Sequence, residues 1–309
     1  MNLLRPTLIA AAAVAVHLYA VDPKRPVLAA RYARFVALVF LAAAFLAPFA
    51  WIACAAFKDR GALMEYTFLP PPSAWRRMIN LGNFEKLFEP RATLQGTVVF
   101  WQYLLNSLFL SSAATVIQVF FCSLAGYALA KFRFKGRRSL LLFMAGSLML
   151  PSMLLIAPTY DMLVHIGWID SYAALLVPGA ANAFGIFLFR QAMLGIPNSL
   201  IEAARVDGAS EFRIYSRIVM PLVQPMTAAF CLIVFMGQWN TFLGPQIYIQ
   251  SDYKLTVPVI LSQYVSQFAE EYGMFLAGTF LSIFPIAILF LTLQKEFISE
   301  LTAGAKRSG

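Results

Sequence analysis

The chain has 309 residues, of which 60% are hydrophobic and only 13% are charged, and its mean hydropathy is +0.71. So few charged side chains cannot cover the surface of a soluble globule of this length, which places the chain in a lipid bilayer. The formal net charge of +9 is no evidence for nucleic-acid binding, because the Lys and Arg side chains of a membrane protein concentrate in particular loops.

The first apolar run, residues 7–21, follows Arg5 and resembles the core of a signal peptide. We expect it to be retained as a short interfacial or marginally inserted helix. At about 1.5 Å per residue the run is short for a full crossing. If it did span, it would be a seventh, N-terminal transmembrane helix. We therefore predict an N-terminal extension at residues 1–30 and one membrane domain at residues 31–309.

Six longer apolar runs follow, and each is suited to crossing the membrane. A spanning helix needs about 20 mostly apolar residues to cross a hydrocarbon core of roughly 30 Å. The runs lack the alternating pattern of barrel strands, which leaves helices as the spanning elements. The sequence predicts an all-α polytopic membrane helix bundle with six transmembrane helices, at residues 35–57, 104–130, 140–157, 173–189, 225–242 and 274–293.

Basic side chains are concentrated before the first long run, in every second link and after the last run. The group between the second and third runs consists of Lys131, Arg133, Lys135, Arg137 and Arg138. By contrast, Lys254 is the only basic residue between the fifth and sixth runs. This asymmetry predicts a cytoplasmic C-terminus. Tryptophans then lie near the outer ends of the predicted spans, as an aromatic belt requires: Trp51, Trp101, Trp168 and Trp239.

The cysteines and histidines of the chain do not suggest a metal centre. Cys54, Cys122 and Cys231 lie within predicted spans, where a thiol behaves as a small apolar group. His17 and His165 have no neighbouring ligand at metal-binding spacing. We predict no disulfide and no metal site. The sequence shows no nucleophile paired with a base, so nothing in it indicates a membrane enzyme.

The link between the fourth and fifth runs, residues 190–221, has an ordered pattern and is called the coupling loop below. Ser199 and Glu202 have the spacing of a capping box, which predicts a short helix capped by Ser199. We expect Gly208 to end that helix in a left-handed conformation, and Ser210 to begin a second short helix.

Seven positions of this loop resemble the coupling motif of bacterial ABC importer permeases: Glu-Ala-Ala, three residues, Gly, nine residues, Ile, one residue, Leu-Pro. Only Met220 departs from it, replacing leucine with another flexible apolar side chain. The resemblance implies that the loop binds a separate ATPase subunit. The residues expected to mediate this coupling are Glu202, Ala203, Ala204, Asp207, Gly208, Ile218 and Pro221.

Other segments resemble the maltose-type carbohydrate permeases within that class, and the resemblance extends from about residue 35 to the C-terminus. They include Leu81-Gly82-Asn83-Phe84, Leu150-Pro151, Trp239-Asn240-Thr241-Phe242 and the tail at 301–306. The family usually has a glycine just before this tail, where the present chain has Glu300. The resemblance implies a saccharide importer in the bacterial cytoplasmic (inner) membrane, supplied by an extracytoplasmic solute-binding protein.

The same resemblance implies the rest of the assembly, namely a second homologous permease subunit and two ATPase subunits. The chain has no Gly-x-x-x-x-Gly-Lys-Ser/Thr phosphate-binding loop. We therefore expect no enzymatic activity and no cofactor in this chain, with ATP and Mg bound by the partner ATPase. Membrane lipid is the remaining expected partner, and nucleic acid is not one.

Polar side chains inside the predicted spans are candidates for the solute path. Ser107, Ser111, Thr115 and Gln118 repeat at helical spacing, but Ser and Thr hydroxyls in membranes more often serve helix packing. An amide is costlier to leave unpaired in hydrocarbon. The candidates for the path are therefore the amides, with a tryptophan that offers an apolar face to a sugar ring: Gln118, Asn182, Gln238, Asn240 and Trp239.

Two alternatives to a saccharide importer remain open. An ABC permease for another solute class, such as amino acids or phosphate, would carry the same coupling loop. An ion-coupled secondary transporter generally places ionisable groups inside its bundle, whereas Asp and Glu are essentially absent from these spans.

Overall fold

The computed structural model describes residues 26–93, 95–266 and 271–307, with side chains described in 30–93, 95–265 and 271–295. The apolar run at 7–21 lies outside the described residues. Within them, the regular secondary structure is helical apart from one short hairpin and an isolated β-bridge between Lys58 and Ile79. The prediction of an all-α polytopic membrane helix bundle is confirmed.

The chain divides into two compact units, Met1–Asn83 and Phe84–Gly309. The predicted boundary between an extension at residues 1–30 and a membrane domain at 31–309 does not coincide with this division and stays a prediction. The described helices that begin in the first unit are α1 Pro26–Ala56, α2 Arg60–Glu65, α3 Trp75–Met78 and α4 Gly82–Phe88.

The segment after α1 folds around the buried Lys58. Its ammonium group donates hydrogen bonds to the carbonyls of Tyr66 (2.6 Å) and Thr67 (3.2 Å). The amide of Asn83 donates to the carbonyls of Ala56 and Lys58, at 2.8 and 2.7 Å. The bond to Ala56 satisfies a carbonyl that the end of α1 leaves free, and the others hold the following segment together.

The second unit begins with the antiparallel hairpin β1 Arg91–Thr93 and β2 Gly96–Val98, in which Arg91 pairs with Val98. The long helix α5 Phe100–Lys131 follows. The remaining helices are α6 Arg137–Ser147, α7 Ile156–His165, α8 Ala173–Leu176, α9 Ala183–Leu194, α10 Asn198–Val206, α11 Glu211–Ile214, α12 Met220–Leu222, α13 Gln224–Trp239, α14 Leu243–Tyr248, α15 Val257–Ser266 and α16 Tyr272–Arg307.

Among the described residues, three single helices have the length and apolarity of a membrane span, in α1, α5 and α16. Three further candidates are helix pairs bent by 96°, 80° and 83°, which brings the total to six if each pair is one span. The pairs are Arg137–Ser147 with Ser152–His165, Ala183–Leu194 with Asn198–Val206, and Glu211–Leu222 with Gln224–Trp239.

The predicted continuous span at 140–157 is wrong, because the chain bends sharply inside it. Helix α6 ends at Ser147, and a 3₁₀ turn at Ser152–Leu155 leads into α7. Pro151 lies at the bend, where it lacks an amide hydrogen and disfavours a helical Leu150. Local backbone chemistry therefore prevails over the continuous apolar composition.

The predicted continuous span at 173–189 is also wrong, because it divides into α8 and α9. Pro178 and Gly179 lie between them. Asn182 then starts α9 as its N-cap, with its side-chain oxygen accepting the amide of Gly185 at 2.7 Å. An asparagine cap satisfies one of the free amides that the break creates.

Helices α5, α9 and α13 pack without space for extra side-chain atoms. A Cβ on Gly126 of α5 would lie 2.7 Å from the Cβ of Phe189, and one on Gly185 of α9 would lie 2.4 Å from the ring of Phe230. The Phe189 and Phe230 rings meet edge to face at 5.3 Å. Small residues at helix contacts are the usual means of close packing in a membrane. These helices therefore form a firm support for the loop that follows α9.

Candidate functional site

Within the coupling loop, α10 begins two residues earlier than the capping box predicts. Its N-cap is Pro197, without a side-chain cap, and Ser199 lies inside the helix. The capping-box prediction is therefore wrong. Proline fixes its own backbone near helical φ, so the helix starts directly after it. The ammonium of Lys131, at the end of α5, donates to the carbonyl of Ile196 (2.6 Å) and to the side-chain oxygen of Asn198 (3.1 Å).

Gly208 ends α10 as predicted, with a φ of +79°. The amide of Ala209 donates to the carbonyl of Ala204 at 2.9 Å, and the amide of Gly208 donates to the carbonyl of Arg205 at 3.0 Å. These two bonds form a Schellman motif, which requires a left-handed residue and favours glycine. Ser210 then precedes α11, also as predicted, although its side chain makes no cap.

An ionic network that the sequence did not reveal joins the loop to α5. Arg205 and Glu211 form an ion pair across the Gly208 turn, with Nε 2.6 Å from Oε1. The hydroxyl of Tyr127 on α5 donates to the other oxygen of Glu211 at 3.0 Å. Beside it, the hydroxyls of Ser123 and Tyr215 share a hydrogen bond of 2.7 Å. The turn is thus joined to α5 by hydrogen bonds.

The open surface of α10 and its turn carries most of the predicted coupling residues. Glu202, Ala203, Asp207 and Gly208 are exposed, Ala204 and Ile218 are half-buried, and Pro221 is exposed on α12. Ile201 is buried on the opposite side and anchors the helix in the core. The sequence interpretation missed three exposed apolar side chains beside the motif, Leu200, Val206 and Phe212, of which Val206 is 88% exposed. Such a group of apolar side chains is typical of a protein-binding surface.

Two of the predicted path residues contact each other where the fourth predicted span breaks. The amide nitrogen of Asn182 donates to the side-chain oxygen of Gln118 on α5, at 2.6 Å. Both side chains are half-buried. With its oxygen committed to the cap of α9, Asn182 is held in one orientation, and Gln118 keeps its own NH₂ group for another acceptor.

The other three path residues lie at the end of α13. Asn240 is exposed and bonds to the carbonyl of Met236 at 2.8 Å, and Gln238 is half-buried. Trp239 is only 3% exposed, and Phe235 stacks on its ring at 5.8 Å. The Trp239 ring is therefore not open to a sugar ring in this structure. Its buried position follows from the helical face it shares with Phe235, four residues earlier.

Asp170 connects two loops that the sequence interpretation left unconnected. Its carboxylate accepts hydrogen bonds from the amides of Gln250 (3.0 Å) and Ser251 (2.9 Å) and pairs with Lys254 at 3.0 Å. Burial alone raises the pKa of this carboxyl, but hydrogen bonds from Ser251, Lys254 and Gln250 outweigh it and lower the pKa to about 2. We call this group the Asp170 clip. Its one hint in the sequence was Lys254, the only basic residue of its link.

Comparison with known proteins gives consistent matches. Residues 118–295 match the family described as binding-protein-dependent transport system inner membrane component. The arabinooligosaccharides transport system permease protein AraQ of Bacillus subtilis (strain 168) is 35% identical over 228 residues, 74% of this chain and 79% of that protein. The AraQ protein of Halalkalibacterium halodurans is 31% identical over 271 residues, 87% of this chain and 94% of that protein.

A solved structure shares the fold. The crystal structure of a bacterial ABC transporter involved in the import of the acidic polysaccharide alginate aligns with a TM-score of 0.73. The alignment covers 85% of this chain and 94% of that chain at 24% sequence identity, so it bears on the fold alone.

Proposed function

Because this chain belongs to the family of binding-protein-dependent transport system inner membrane components, we propose that it is the permease subunit of an ATP-driven saccharide importer. The observation that carries the proposal is the exposed α10 and its Gly208 turn, which present Glu202, Ala203 and Asp207 to a partner. The names of the two arabinooligosaccharide relatives support a saccharide as the solute. A permease for another solute class is the alternative.

The coupling step that we propose is mechanical. A separate ATPase binds α10 through its exposed apolar and acidic side chains, and ATP binding moves this helix together with the Gly208 turn. The Arg205–Glu211 pair keeps the turn rigid, and Glu211 passes the movement to Tyr127 of α5. Helix α5 also carries Gln118, so the same helix links the ATPase surface to the solute path.

The proposed assembly contains this chain, a second homologous permease, two ATPase subunits and an extracytoplasmic solute-binding protein. ATP and Mg belong to the ATPase subunits, and this chain has neither enzymatic activity nor a cofactor of its own. Residues 31–309 form the transporter domain and residues 1–30 an extension. The chain is a multi-pass protein of the bacterial inner membrane with a cytoplasmic C-terminus.

The proposed solute path is lined by amides. Gln118 and Asn182 form one pair, and Gln238 and Asn240 lie at the end of α13. Amide groups both donate and accept, as sugar hydroxyls do, so they suit a saccharide. Trp239 belongs to this path only if movement of α13 uncovers its ring, since Phe235 covers it here.

The test is reconstitution of the complex in vesicles, together with its solute-binding protein. We expect saccharide-loaded binding protein to stimulate ATP hydrolysis and uptake, whereas the purified chain alone does not hydrolyse ATP. If no ATPase co-purifies with the chain, the coupling proposal is wrong. If an ATPase co-purifies but only a non-saccharide is taken up, the saccharide assignment alone is wrong.

A further inference from the structure

A cavity at the start of the coupling loop is lined by arginine side chains. Its volume is about 400 Å³, and its lining includes Phe134, Arg137, Arg138, Ser139, Leu141 and Arg190. Arg137 and Arg138 start α6, whereas Arg190 lies in α9, so two helices supply the charge. We call it the arginine cavity. The function proposed above does not use it.

The charges of the arginine cavity are not balanced from within. Its lining contains three arginines and no carboxylate. The guanidinium of Arg137 donates to the carbonyl of Phe132 at 3.3 Å, and that of Arg190 lies 5.9 Å from the centre of the Phe187 ring, so neither contact supplies a negative charge. The Nε of Arg190 is buried, and no hydrogen-bond partner exists for it in the part of the chain that the structure describes. A buried charged donor without an acceptor costs more than an ordinary lost hydrogen bond. The arrangement therefore suits an anion with several acceptor oxygens.

A phosphate group offers the negative charge and the acceptor oxygens that these arginines can bind. Guanidinium groups bind phosphate oxygens through paired, charge-assisted hydrogen bonds. The hydroxyl of Ser139 lines the same space and can donate as well. The amide groups at the amino end of the 11-residue helix α6 add a positive field, but the three arginines from two helices carry the argument.

The surface beside the cavity indicates which phosphate compound binds there. Along α6, Leu140, Leu142 and Phe143 are 43%, 65% and 75% exposed. A soluble phosphate would make no contact with this apolar surface, whereas the acyl chains of a lipid would cover it. We propose that the arginine cavity binds the headgroup phosphate of an anionic phospholipid, whose acyl chains lie along α6. Basic pockets between transmembrane helices are suited to such headgroups.

The simpler interpretation is that these arginines only fix the topology of the membrane segments. Topology requires basic charge in a loop that solvent reaches, and exposed Arg133 and Lys135 in the same link already provide it. It requires neither a cavity nor a buried Nε on a different helix. Arg133 therefore provides the matched control for a test, because its substitution removes the same charge from the same link but not from the cavity.

The test is native mass spectrometry of the full-length chain with phosphatidylglycerol and phosphatidylcholine of identical acyl chains. We expect phosphatidylglycerol to bind preferentially. Arg190→Gln should weaken its binding by about tenfold, the loss expected for a charge-assisted hydrogen bond, and Arg133→Gln by less than about twofold. The double variant Arg137→Gln/Arg138→Gln should give a similar loss without altering α9, which keeps the test valid if Arg190→Gln does not fold.

Three results would overturn the proposal. Equal losses in the Arg133 and Arg190 variants would mean that the lipid responds only to overall charge. Displacement of phosphatidylglycerol by inorganic phosphate, with the phosphate retained, would identify a site for a soluble anion. If Arg190→Gln released a co-purifying protein but left phosphatidylglycerol binding unchanged, the cavity would be a protein contact.

Discussion

The Gly208 turn and the Asp170 clip are built from the same parts but differ in how far their side chains are exposed. Each has a residue with positive φ, +79° at Gly208 and +59° at Asp170, and each is closed by a carboxylate paired with a basic side chain. At the turn, the paired side chains of Arg205 and Glu211 are 41% and 45% exposed. At the clip, those of Lys254 and Asp170 are 24% and 27% exposed.

The neighbours of the two regions differ as well. Tyr248, Ile249 and Leu255 beside the clip are buried, whereas Val206 and Phe212 beside the turn are exposed. The clip satisfies its own polar groups within the chain and holds two loops together. The turn is closed by an ion pair and backbone hydrogen bonds but leaves its outer surface uncovered, which suits a protein partner. We therefore expect substitutions at the turn to impair coupling, and substitutions at the clip to lower stability.

The largest effect is expected for Gly208→Val. A β-branched residue in this left-handed position costs roughly 1–2 kcal/mol or more, and it disturbs the end of the helix that we propose as the ATPase contact. Uptake and stimulated ATP hydrolysis in vesicles should fall by about tenfold or more while the chain still inserts. Gly167→Val is the control, because Gly167 also has a positive φ, +71°, and equal open space around it. Equal loss of coupling in both variants would contradict the difference between the regions.

Asp170→Asn is expected to lower stability and to spare coupling. Asparagine tolerates the left-handed conformation, so the change removes the charge while keeping the backbone. The weakened bonds to Lys254 and Ser251 should cost about 1–2 kcal/mol, measured as a lower melting temperature of the purified protein. ATP hydrolysis per folded transporter should stay at the level of the unmodified chain. A coupling defect with unchanged melting would show that the clip also transmits movement.

Tyr127→Phe removes one hydroxyl and tests the link between the turn and α5. Loss of its hydrogen bond to Glu211 should cost about 1 kcal/mol, which corresponds to a roughly fivefold loss of coupling at most. The measurement is the ratio of solute transported to ATP hydrolysed. Tyr172→Phe is the matched control, since that tyrosine contacts Phe109 and lies away from the turn. An unchanged ratio in both variants would mean that the movement passes through the core packing instead.

The smallest effect is the pH dependence of the clip. The pKa of Asp170 is about 2 in the folded chain and about 3.9 in an unfolded one. Its contribution to stability is therefore complete above about pH 4 and is lost as the pH falls toward 2. The melting temperatures of the unmodified chain and of Asp170→Asn should converge over that range. A constant difference down to pH 2 would assign the stabilisation to the backbone turn.

The sequence by itself determined the features that depend on local chemistry. Apolar length located the membrane segments, because the cost of burying polar groups in hydrocarbon acts on each segment separately. The spacing around Gly208 predicted the helix end, because only the backbone at that residue decides the left-handed turn. The coupling motif likewise follows from residues close together in the chain. Pro151 also gave a local sign of a break, but the continuous apolar run at 140–157 obscured it.

Only the tertiary structure decided which distant groups meet. Asn182 pairs with Gln118 and Tyr127 pairs with Glu211 across 64 and 84 positions of the chain, and no periodicity relates such residues. Trp239 is buried against Phe235, and Arg190 lines one cavity with the start of α6. Both arrangements depend in the same way on how the helices pack. Packing energies arise from many weak contacts between segments, so they are not a property of any one segment.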